Sequence, residues 1–182
     1  MMSSSLELLK SLSRYAQKNN IKLAFNPSNY LVIKGKKELQ PILQTTDLLI
    51  FNKEEAQILS KKNTVQEAFK ILKKMIKPEG LIIITDGPRG AYSFDGKEII
   101  HVHPKKIKLV ETTGAGDAFS SAFTTAIIQK KDVKTALKQG MIQAESVIRA
   151  HGAKNKLLNK KEMIKELKKD KRKIVTKKIR GA

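Results

Sequence analysis

The chain has 182 residues, 40% of them hydrophobic and 5% aromatic, which suits a globular α/β protein and is too apolar for a disordered one. It has no cysteine, which excludes a disulfide scaffold and a cysteine-based zinc site and fits a cytoplasmic protein. The net charge is +20, yet only five of the 37 basic residues are arginine, so no specific nucleic-acid recognition is expected; lysines scattered over solvated faces explain the charge, and weak polyanion binding is the rival reading.

No run approaches the roughly 18 apolar residues of a membrane span, and the expectation is no membrane association. The start, Met1 to Lys10, lacks a basic segment followed by an apolar one and does not read as a signal peptide. Leu6, Leu9, Leu12 and Tyr15-Ala16 recur at helical spacing and predict a helix over 4–18. Ile21 to Phe25 predicts a short strand, closed by Asn26-Pro27-Ser28-Asn29. A helix near 37–43 leads to a strand over 47–51, then helices over 53–60 and 64–76. Leu81 to Thr85 is apolar at successive positions, as a strand covered on both faces requires. Residues 91–94 and 98–102 flank Asp95-Gly96-Lys97 as a hairpin, and Ile107 to Glu111 predicts another strand. His101 and His103 share one face of the hairpin and are expected to meet solvent. Helices follow over 116–130, 132–150 and 160–169, and a strand over 173–178. Residues 154–182, a basic helix and strand, hold thirteen Lys or Arg against three Asp or Glu. Strands alternating with helices, without a linker or repeat, predict a single domain over 1–182. Its expected fold class is α/β: a three-layer, open, mainly parallel sheet flanked by helices.

Glu111-Thr112-Thr113-Gly114-Ala115-Gly116-Asp117-Ala118-Phe119 carries the strongest chemical signal. Two glycines allow a sharp turn and close approach to a ligand, and the free N–H groups and dipole of the following helix favour negative charge. Such a turn can hold a phosphoryl group in transit. A carboxylate at the mouth of an anion site would repel a resting phosphate, but it is placed to take the proton of an attacking hydroxyl. The dinucleotide fingerprint fails because its last position is Phe119, and no Walker loop is present. A plain tight turn with Asp117 as a helix cap is the rival reading of the bare motif.

These residues resemble the ribokinase-like (PfkB-type) carbohydrate kinases, whose signature D-T-x-G-A-G-D-x-F is similar to Glu111–Phe119 with Glu in place of the first Asp. Phe25-Asn26-Pro27, Asn52-Lys53-Glu54-Glu55, Thr85 to Ala91 and Gly152 to Asn155 resemble further family motifs in the same order. The resemblance implies a kinase that uses ATP and Mg2+, with a sugar or nucleoside as acceptor. It implies Asp117 as catalytic base, with Gly114, Ala115 and Gly116 as the anion hole. It also implies Thr85, Gly87, Gly90 and Thr113 at the nucleotide, residues 143–155 bordering the adenine, and Asn52 and Glu55 near the magnesium. Alone, Asn52-x-x-Glu55 also reads as a helix capping box, and both readings can hold together. Arg89 is open between a phosphate contact and a solvated charge, His151 is a weak candidate at the adenine edge, and Glu111 lies where a monovalent cation is implied.

Family members carry, before the 4–18 helix, a region with a Gly-Gly motif, the acceptor contacts and a β-lid, and this sequence has none of it. The expectation is a fragment lacking the N-terminal strands and lid, with an open apolar edge at Ile21–Phe25, completed by a separately encoded N-terminal half or by homo-oligomerisation. The alternative is a non-catalytic nucleotide-binding remnant or module.

Overall fold

Apolar periodicity and a small set of end signals account for most of the elements of the computed structural model, which describes residues 2–179. Met1 and residues 180–182, with Arg180 of the basic end and the limits of the 1–182 domain, lie outside the described residues. The helices are α1 (Met2–Lys18), α2 (Asn29–Ile33), α3 (Lys36–Leu43), α4 (Lys53–Ser60), α5 (Val65–Lys73), α6 (Ala115–Ile128), α7 (Val133–Val147) and α8 (Lys160–Lys169). The strands are β1 (Ala24–Phe25), β2 (Leu48–Asn52), β3 (Leu81–Thr85), β4 (Ala91–Phe94), β5 (Glu98–Val102) and β6 (Ile174–Lys178). They form one open sheet in the order β1-β2-β3-β4-β5-β6, and β1 runs parallel to β2 with Ala24 opposite Leu48 and Phe25 opposite Leu49. The fold is α/β with a mostly parallel sheet and flanking helices, as the sequence pattern requires. Among the described residues no helix is long and apolar enough to cross a membrane.

The chain divides into two compact units. Among the described residues, the first holds 2–84, 94–99 and 178–179. Its core is apolar and closed: Leu39, Leu43, Leu49, Phe51, Phe69 and Leu72 are all fully buried. The rings of Phe69 and Phe94 meet at 5.4 Å. Each such side chain contributes about 1.5–3 kcal/mol by leaving water. The middle of β3 is fully buried, as its unbroken apolar run demands.

The second unit holds residues 85–93 and 100–177. Here α6 packs on α7 with the Phe119 ring against Gly140, and Phe119 stacks on Phe123 of its own helix at 6.0 Å. Gly140 admits this contact, since a Cβ there would stand 2.8 Å from the Phe119 ring. Behind the helices lies a buried ionic cluster. Arg172 donates through Nη1 and Nη2 to the two carboxylate oxygens of Glu145, each at 3.0 Å, and through Nε to Asp170. Lys105 Nζ lies 3.0 Å from Asp170 Oδ1, and the Lys105 N–H donates to Glu145 at 3.0 Å. Every charge in the cluster is paired, as burial demands.

Three elements depart from the sequence expectation. Ile107–Glu111 is not a strand: the N–H groups of Val110 and Glu111 donate to the Ile148 carbonyl at the end of α7, and Leu109 and Val110 are exposed. The strand expected over Ile21–Phe25 shrinks to two residues, because Ile21 N–H bonds the Ala16 carbonyl and Leu23 N–H bonds Asp47 Oδ2 at 2.9 Å. The sheet edge at β1 is therefore short, which limits its use as a pairing template. Helix α2 has a single turn and buries only Val32, too few apolar positions for a periodic signal.

Candidate active site

In the second unit the Gly114 turn opens α6. Gly114 is the N-cap, in the left-handed region at φ 79°, and no side chain caps the helix. Ala115 N–H bonds the Thr112 carbonyl at 3.1 Å, and Ala118 N–H bonds Gly114 at 2.9 Å. Between them, the N–H groups of Gly116 and Asp117 have no acceptor among the described residues. A Cβ on Gly116 would meet nothing within 4 Å, so the side-chain face of the turn at that residue is open. Asp117 is exposed and sits in the first helical turn beside them, and its carboxylate makes no cap bond. The plain helix-cap reading of Asp117 is therefore not realised. Two free donors, a helix N-terminus and an adjacent free carboxylate can hold an anion and accept a proton.

The turn is fastened to the loop after α7. A Cβ on Gly114 would fall 2.6 Å from Ala153 Cβ, so only glycine fits. The Glu111 carboxylate accepts the Gly152 N–H at 3.0 Å and lies 3.5 Å from His151 Nδ1. The Thr113 hydroxyl first, then the Gly152 N–H and His151, hold that carboxyl below its usual range. These donors hold Glu111 as an anion that fastens the turn to the loop after α7. This fastening was invisible in sequence, where only the conservative Glu-for-Asp difference marked the position.

Thr85 ends β3, and Gly87–Arg89 form one 3-10 turn. Gly87 (φ 47°) faces open space. Gly90 (φ 95°) is enforced, because a Cβ would lie 2.1 Å from the Val102 carbonyl oxygen. Arg89 forks onto Asp86, with Nε to Oδ2 and Nη2 to Oδ1 both at 2.7 Å. It is thus held within its own turn. His101 and His103 are half-buried rather than free: His101 stacks on Tyr92 at 4.0 Å, touches His103 at 3.9 Å and donates through Nε2 to the Arg89 carbonyl.

Asn52 and Glu55 belong to the first unit, at the start of α4. They form the full capping box: Glu55 N–H donates to Asn52 Oδ1 and Asn52 N–H to Glu55 Oε2, each at 2.8 Å. Burial pushes the Glu55 carboxyl up, against the Asn52 N–H. Glu55 Oε1 stays outside the box. Among the described residues no three His, Cys, Asp or Glu converge as a metal cage. That remaining carboxylate oxygen is a hard ligand of the kind that a magnesium ion keeping most of its waters accepts.

The sequence profile of the pfkB family carbohydrate kinases matches residues 2–160. The chain belongs to that family. It is 33% identical over 149 residues to a guanosine-inosine kinase of Exiguobacterium acetylicum, covering 79% of this chain and 48% of that protein. It is 27% identical over 176 residues to a 5-dehydro-2-deoxygluconokinase of Halalkalibacterium halodurans, covering 92% and 53%. The Arabidopsis thaliana ribokinase solved with ribose and ATP shares the fold at TM-score 0.79 and 20% identity, over 90% of this chain and 53% of that one. The chain spans about half the length of these curated family members.

Proposed function

We propose that the chain supplies the nucleotide-holding and proton-accepting side of an ATP-dependent kinase acting on a hydroxyl of a sugar or nucleoside. The observation that carries this is the pair of N–H groups at Gly116 and Asp117 without an acceptor among the described residues, beside an exposed carboxylate. Gly114, Ala115 and Gly116 shape the turn so that the donors face the transferred phosphoryl group and stabilise its charge. Asp117 accepts the proton of the attacking hydroxyl. Thr85, Gly87, Gly90 and Thr113 border the nucleotide. Asn52 and Glu55 would hold Mg2+ through its waters, and the bound ion would neutralise phosphate charge.

The half of the kinases that this chain does not span supplies the acceptor side, whether joined to this sequence, carried on a separate chain or replaced by a second copy. A second reading, nucleotide binding without transfer, draws on that same half-length match. The test is ATP-dependent phosphorylation of a panel of pentoses, hexoses and purine nucleosides, with and without a complementing N-terminal half of a relative. Asp117→Asn should lower turnover about 10²–10⁴-fold while leaving the ATP-induced thermal shift in place. Turnover retained in Asp117→Asn would remove the base from its role. An ATP shift without turnover in any combination would favour the second reading.

A further inference from the structure

Helix α1 carries more apolar surface than the first unit covers. At 3.6 residues per turn its apolar side chains fill an arc of about 180°. Leu6 and Ala16, with Ser13 between them, are buried toward one end of that arc. Leu8, Leu12 and Tyr15, spaced four and three residues apart, make up the other end and are 59%, 53% and 62% exposed. Glu7, Arg14, Gln17 and Lys18 hold the polar side of the helix, so the exposed stripe is not its solvent face. Helix α3 meets α1 beyond the buried end, where Lys10 Nζ binds Glu38 at 3.1 Å. The stripe therefore lies on the flank turned away from α3. Because α3 leads from β1 to β2, that flank faces out past β1, where the sheet ends.

Length and charge say what covers it. The chain spans about half of each curated relative, so as much structure again accompanies this unit in those kinases. The two residues of β1 offer little for strand pairing, whereas a ridge at i, i+4 and i+7 is what a helix or an apolar groove packs against. A second copy is disfavoured, because it would bring together two chains of net charge +20, with Arg14 and Lys18 alongside the stripe.

We propose that Leu8, Leu12 and Tyr15 seat an apolar face of the half of the kinase that this chain does not span, so that the acceptor side is held by packing on α1 rather than by strand pairing at β1. The inference rests on the kinase reading above.

The test co-expresses the full chain with the complementary half of the Exiguobacterium or the Halalkalibacterium relative and follows association by sedimentation velocity and titration. At least one half should co-purify with a Kd at or below about 10 µM, the weak end of specific interfaces. Leu12→Glu and Tyr15→Glu should each weaken association about 30-fold or more, as loss of a central apolar anchor does. Gln17→Glu, on the polar side, should leave it unchanged. Both stripe variants should keep the unfolding midpoint of the chain alone, since the two side chains are exposed. Association that survives Leu12→Glu, co-purification with neither half, or a homodimer that Leu12→Glu dissolves would overturn the proposal. The ATP-induced thermal shift separates this outcome from the kinase reading: a shift kept by a chain that docks neither half ends the docking proposal alone, and docking without a shift ends the nucleotide reading alone.

Discussion

Gly114 lies against Ala153 so closely that a Cβ on residue 114 would stand 2.6 Å from the Ala153 Cβ and 2.9 Å from its backbone. The same glycine holds φ 79°, a region that side-chain-bearing residues enter at a cost. Gly114→Ala therefore meets both backbone strain and a clash with main chain. We expect a loss of about 2–4 kcal/mol in a urea unfolding titration, with weaker ATP binding because the start of α6 must shift.

Gly116 is the contrasting case two residues on. A Cβ there meets nothing and its backbone is helical. Gly116→Ala should keep or raise stability, by about 0.5 kcal/mol from reduced chain entropy. Yet the added methyl stands on the residue that carries one of the two free N–H groups. Thermal shift with and without ATP checks this: a higher midpoint without ligand and a smaller ATP increment are expected, and an undiminished increment would place the anion elsewhere.

Arg172 bridges Glu145 and Asp170 in a buried cluster. Arg172→Met would leave two buried carboxylates, with Lys105 as the remaining cation. The expected cost is about 3–5 kcal/mol, since breaking a buried pair strands its partners. The urea midpoint reports it, and a triple replacement of Arg172, Glu145 and Asp170 by apolar residues should recover most of the loss.

Asp47 sets an acid limit in the first unit. Burial pushes its carboxyl up, but the Leu23 N–H and the ammonium groups of Lys77 (2.9 Å) and Lys22 (3.0 Å) outweigh burial and hold it below its usual range. A depressed carboxyl adds stability that is fully present above its unfolded value, near pH 4, and is lost as pH falls through the folded value. Stability measured from pH 6 down to pH 2 should fall below about pH 4, and Asp47→Asn should flatten that fall while lowering the plateau.

By itself the sequence determined most of the helices, the buried run of β3, the hairpin Ala91–Val102 and the Gly-Ala-Gly-Asp turn opening α6, because spacing and glycine placement are local properties of the chain. Asn52 and Glu55 were legible for the same reason, a capping box being written in four consecutive residues. Only the tertiary structure decided what distant partners impose. The Ile148 carbonyl takes the N–H groups that would have made Ile107–Glu111 a strand, and Asp86 takes up Nε and Nη2 of Arg89. Gly152 and His151 surround Glu111 with donors. Gln143 looks like Gln139 in sequence, and packing alone satisfies both ends of one and leaves the Oε1 of the other buried without a partner among the described residues.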